Sequence, residues 1–156
     1  MNQHGASKAD MTNQPLSVPI GLRLTLDIEP PSGFRAELGQ LINAFHAETV
    51  PFQTSRFGVR LDDAEDRLVG GLSGVMAWGW LFIDAVWVHG DLRGRGAGRA
   101  LLAHAERYAA AKGCHSVWLD TFQAVRFYES VGYSVFGTLE DYPGEQTRWF
   151  LRKRLG

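Results

Sequence analysis

The chain has 156 residues, 45% of them apolar and 21% charged, with a net charge of −1 at neutral pH. That length suits one globular domain with a core of its own, and the near-neutral balance excludes a basic nucleic-acid binder or a polybasic membrane-surface protein. One cysteine, Cys114, rules out an intramolecular disulfide and fits a reducing, cytoplasmic setting.

The first nineteen residues, "MNQHGASKADMTNQPLSVP", lack the apolar stretch of a signal peptide and read as a disordered lead-in to a domain spanning 20–156. "IGLRLTLDI" alternates apolar and polar residues, which predicts a strand. Phe34, Leu38, Leu41, Ile42 and Phe45 then recur at helical spacing. "RFGVRLDDAEDRLVGGLSGVMAW" predicts two strands joined at the acidic turn Asp62 to Asp66. "WLFIDAVWV" is the most apolar strand candidate and belongs inside a sheet. A helix follows over "GAGRALLAHAERYAAAKG", with Leu101, Leu102, Ala105, Tyr108 and Ala109 on one face. "HSVWLDT" predicts a strand, "AVRFYESVG" a short helix ended by Gly132, and "YSVFGTLE" and "TRWFLRKRL" two closing strands. Cys114 falls between helix and strand and reads as a small buried residue, and the basic groups of the last strand read as a solvated face. The order predicts an α/β (α+β) fold with a mixed, mostly antiparallel central sheet flanked by helices. No apolar run reaches the roughly 18 residues of a membrane span.

Three glycines, Gly94, Gly96 and Gly98, crowd the start of the long helix. A helix start presents unpaired N–H groups and the positive end of the macrodipole, and glycines let an anion approach that backbone. The alternative is a tight strand-to-helix turn without a ligand. A dinucleotide fingerprint fails because Arg99 stands where a third small residue is required, and no Gly-Lys-Ser/Thr ending exists for a mononucleotide loop. What fits is an arginine, two residues, glycine, one residue, glycine: "RGRGAG", Arg93 to Gly98.

Here "VHGDLRGRGAGRALL" resembles the pyrophosphate motif of the GNAT superfamily of N-acyltransferases, and "AVRFYESVGY" is similar to that family's later helix and strand. The resemblance implies acetyl-coenzyme A as cosubstrate, no metal, and an acetyl transfer to a primary amine by direct attack in a ternary complex. It implies that the turn Arg93, Gly94, Arg95, Gly96, Ala97, Gly98 and Arg99 holds the pyrophosphate, and that backbone near Trp87 and Val88 pairs with the pantetheine arm. Tyr128 occupies the family's general-acid position, although its apolar stripe with Ala124, Phe127 and Val131 also suits a core tyrosine. Asp84 interrupts the row Phe82, Asp84, Val86, Val88 expected from strand alternation. A carboxylate there suits a proton acceptor, an amine anchor or a structural partner. Acids in "LDDAED" and "LEDYPGE", with Trp78, Trp80, Phe82, Tyr142 and Trp149, are candidates to wall a pocket for a cationic, small-molecule amine. A protein or peptide amine, or a non-catalytic acyl-coenzyme A-binding regulatory module, is the alternative, and a homodimer is common in the superfamily. The connection from Leu119 to Ala124 is shorter than the family's usual one, with Thr121 in place of its asparagine.

Overall fold

The computed structural model describes residues 19–50 and 53–156, so the predicted lead-in lies almost wholly outside the described residues. The chain divides into two compact units, one ending at Ile42 and one starting at Asn43. In the first, the predicted strand 20–28 is absent: the segment has no ladder partner, and Ile20, Leu22, Leu24, Leu26 and Ile28 are all exposed. Period-two alternation makes a one-sided ribbon, but a strand also needs a neighbour for its backbone hydrogen bonds. The predicted helix forms as α1, Phe34–Ala47.

The second unit carries the sheet. In chain order it contains β1 (Thr54–Asp62), β2 (Leu68–Ala77), β3 (Trp80–Val88), a single 3-10 turn (Gly90–Leu92), α2 (Ala97–Ala111), β4 (Ser116–Thr121), α3 (Val125–Ser130), β5 (Ser134–Leu139) and β6 (Arg148–Arg154). The six strands lie in the order β1-β2-β3-β4-β6-β5. Only β3 and β4 run parallel, because α2 carries the chain back between them, as a parallel crossover requires. The mixed, mostly antiparallel sheet predicted from the element order is therefore observed, and β3 is internal as expected.

Leu101, Leu102, Ala105 and Ala109 of α2 pack on Leu72, Leu81, Ile83, Val117, Leu119 and Leu151 of the sheet, all buried. Tyr108, expected on the same helical face, stays partly exposed with its ring 4.9 Å from that of Phe57. Cys114 is buried as predicted, and burial pushes its thiol up. The last strand is not a simple solvated face. Lys153 donates to Glu106 of α2 at 2.6 Å, and the same carboxylate accepts from Tyr133 at 2.9 Å, which ties α2 to the closing hairpin. Among the described residues no helix is long and apolar enough to cross a membrane.

Two irregularities shape the region between β3 and β4. The ladder between them covers only Trp80–Ile83 against Ser116–Leu119, and beyond it the strands part. Just there β3 bulges against β2: Ser73 pairs with Ala85 and Gly74 with Ile83, leaving Asp84 as the extra residue. A β-carbon on Gly74 would stand 2.9 Å from the Phe82 carbonyl and 2.8 Å from Leu81, so the close approach of the two backbones requires glycine.

Candidate functional site

The bulge corrects the expected row on β3. Leu81 and Ile83 face the core before it, and Val86 and Val88 pack on that same core after it, whereas Phe82 stacks on Trp118 at 4.1 Å. One extra residue inverts the alternation, so Phe82 does not share a face with Val86 and Val88. Asp84 is not a buried carboxylate in an apolar row. Its side chain is 31% exposed, Ser73 Oγ donates to Oδ1, and Arg56 Nη1 lies 3.6 Å from Oδ2.

A cleft of about 710 Å³ opens where the strands part. Trp87, Val88, Arg93, Gly94, Gly96, Gly98 and Arg99 line it, and Thr121 to Ala124, Phe127 and Tyr128 form its other wall. Arg95 and Ala97 instead line a separate groove beside the β1–β2 turn and His104, which Gly96 also borders. Gly94 and Gly96 hold φ of +71° and +89°, the left-handed region that glycine alone enters freely. Nothing lies within 4 Å of a β-carbon built on either, so the turn offers bare, open backbone. Gly96 is the N-cap of the 15-residue α2 and supplies no side-chain cap, which leaves first-turn amides without an intrahelical acceptor. Gly98 has another reason: its β-carbon would lie 3.1 Å from Phe127 Cζ, so it lets α3 pack against the start of α2. Arg93 folds back, and its Nε donates to the Val88 carbonyl at 3.1 Å. The donor set and the open turn fit a diphosphate.

At the far end of the cleft lies Tyr128, 8% exposed on α3. The short connection that carries α3 there is built by Thr121, whose Oγ1 accepts from the backbone N–H of Gln123 at 3.3 Å and of Ala124 at 3.2 Å. A hydroxyl capping three residues on is a local signal the sequence held. Burial and, second, the Asp120 carboxylate push the Tyr128 phenol above its ordinary value.

Tyr128 also lines a second, small cavity of about 160 Å³ with Asp84, Val86, Asp120, Thr121 and Arg148. Asp120 and Arg148 escaped the sequence reading because they are 28 positions apart and meet only through the β4–β6 ladder, in which Asp120 pairs with Phe150. Arg148 Nε stands 2.6 Å from Asp120 Oδ2. The expected acidic runs do not wall this cavity. Asp62, Asp63 and Glu65 are taken up by Arg60 and Arg67 at the β1–β2 turn. Of the candidate aromatics, Tyr142 lies against Arg148, whose guanidinium stands 4.8 Å from the ring centre. Among the described residues no cluster of three or more His, Cys, Asp or Glu is arranged to hold a metal.

The model of the acetyltransferase (GNAT) family matches residues 25–133. Over 91 residues the chain is 42% identical to blasticidin-S acetyltransferase of Streptomyces morookaense, covering 56% of this chain and 67% of that one. Over 116 residues it is 32% identical to the acetyltransferase Atu2258 of Agrobacterium fabrum, covering 68% of this chain and 85% of that one. The crystal structure of an acetyltransferase from Bacillus cereus superposes with a TM-score of 0.72 at 29% identity, over 83% of this chain and 98% of that one. The match over more than half of the chain and these similarities show that this chain belongs to the acetyltransferase (GNAT) family, as an acyl-coenzyme A-dependent N-acyltransferase.

Proposed function

We propose that the protein transfers an acetyl group from acetyl-coenzyme A to a primary amine of a small molecule, by direct attack within a ternary complex. The observation that carries this reading is the position of Tyr128 where the long cleft meets the small cavity. The similarity to an enzyme named for blasticidin S supports a small-molecule acceptor.

Acetyl-coenzyme A supplies a thioester whose carbonyl carbon is open to an amine. The amides of Gly94 to Arg99 would hold its diphosphate, with Arg93 and Arg99 adding charge from the cleft wall and Arg95 from the other side of the turn. Trp87 and Val88 pair with Gly71 and Gly70 of β2 but lie beyond the β3–β4 ladder. Backbone on their β4 side would therefore bond the pantetheine arm much as an added strand does, at the Val88 carbonyl in exchange for Arg93. Tyr128 holds a proton on its phenol throughout the neutral range, since both its burial and Asp120 oppose ionisation. It is therefore suited to donate that proton to a departing thiolate. Asp84, with both carboxylate oxygens engaged, fixes the bulge at which the strands diverge.

Calorimetric titration with acetyl-coenzyme A, coenzyme A and NAD tests the cleft: both coenzyme A species bind and NAD does not. Thiol release then tests the phenol. Tyr128→Phe lowers kcat by about 10²-fold or more, in the range of general acid catalysis, and leaves coenzyme affinity unchanged. Failure of either coenzyme A species to bind the folded protein would overturn the whole reading, whereas an unchanged kcat would remove only Tyr128.

A further inference from the structure

Two carboxylates border the small cavity, and they differ in what they have left to offer. Asp84 accepts a hydrogen bond from Ser73 at Oδ1 and has the exposed Arg56 guanidinium 3.6 Å from Oδ2. Asp120 is approached by Arg148 at Oδ2, and among the described residues no hydrogen bond reaches Oδ1. The Asp120 side chain is also the less exposed, at 23% against 31%. Its partner is fixed from both sides: Arg148 is pinned between that carboxylate and the face of Tyr142. Arg148 Nε is buried and makes no aligned hydrogen bond, so it orients the carboxylate by charge at Oδ2 and leaves Oδ1 as the open acceptor.

We infer that Asp120, oriented by Arg148, is the group that receives the acceptor's amine in the cavity it shares with Tyr128. This rests on the reading of the cleft as an acetyl-coenzyme A site with Tyr128 at its end. Charge supports the assignment, because a protonated amine meets an open carboxylate oxygen beside the phenol. The groups facing Tyr128 are Asp120 on β4, Arg148 on β6 and Asp84 on β3, with the Tyr133 ring 5.7 Å away and Glu106 and Lys153 behind it.

The test uses n-propylamine as acceptor, read by thiol release from acetyl-coenzyme A. Asp120→Asn raises the propylamine KM about tenfold, the scale of one charge-assisted hydrogen bond, with acetyl-coenzyme A affinity unchanged. The double variant Asp120→Asn, Arg148→Gln strands no buried charge and shows the same rise. A second arm needs no turnover: the tyrosinate absorbance lost in Tyr128→Phe marks the Tyr128 phenol, and Asp120→Asn moves its titration to lower pH. The inference is overturned if that titration stays put, or if Asp84→Asn gives the larger rise in KM. Loss of coenzyme binding in the wild type would instead condemn the site reading itself, and an unchanged Tyr128→Phe rate only the phenol's role.

Discussion

At the scale of single residues, the site depends on backbone conformations that few side chains tolerate. Gly96 combines a φ of +89° with the N-cap of α2, so the turn and the helix start are fixed by one residue. Gly96→Ala forces a β-carbon into the left-handed region, at a cost of about 1–2 kcal/mol. Thermal unfolding should register that loss, and calorimetry should show weaker binding of acetyl-coenzyme A as the turn relaxes. The "RGRGAG" pattern made this turn legible, since glycine spacing reports backbone need directly. Asp84 was legible as an oddity but not in its setting. Alternation assumes an unbroken ladder, and the bulge that displaces it depends on Gly74 in the neighbouring strand. Asp120 and Arg148 carried no local signal, because strand pairing alone brings them together.

Among the elements, nearly every strand and helix of the second unit could be read from periodicity and glycine stops. The exception lies in the first unit, where residues 20–28 alternate without a partner. Periodicity reports which face would be buried and says nothing of whether a neighbouring edge is present. The β2–β3 pair shows the converse, with irregularity built into a strong ladder. Gly74→Ala would place a β-carbon against the Phe82 carbonyl and the Leu81 side chain. The carbonyl cannot swing aside, so the two strands must separate or the bulge must migrate. A loss of about 1–3 kcal/mol is expected, as for overpacked cores, measurable by urea unfolding. Because Asp84 moves with the bulge, activity should fall further than the folded fraction does.

For the molecule as a whole, stability against pH reports how far two buried phenols hold the second unit together. Tyr133 is 4% exposed, and its phenol is pushed far above the ordinary value, first by burial and then by the Glu106 carboxylate that accepts its hydrogen bond. Tyr128 is raised for similar reasons. A raised folded-state value means that the stabilisation is complete below the unfolded phenol value near 10 and declines above it. There the unfolded chain sheds phenolic protons that the folded chain keeps, so Tyr133 removes about 1.4 kcal/mol of stability per pH unit, and Tyr128 adds to the decline until its own phenol ionises in the fold. Tyr133→Phe separates the two effects. At pH 8 the variant loses the hydrogen bond to Glu106 and should be less stable by about 1–3 kcal/mol. Above pH 10 it escapes one of the two declines, so its deficit should shrink and then vanish within about one to two pH units. Urea unfolding from pH 8 to 11.5 measures this directly. Parallel curves for the two proteins would mean that Tyr133 ionises freely in the fold and that the junction of α2, β5 and β6 is looser than its hydrogen bonds imply.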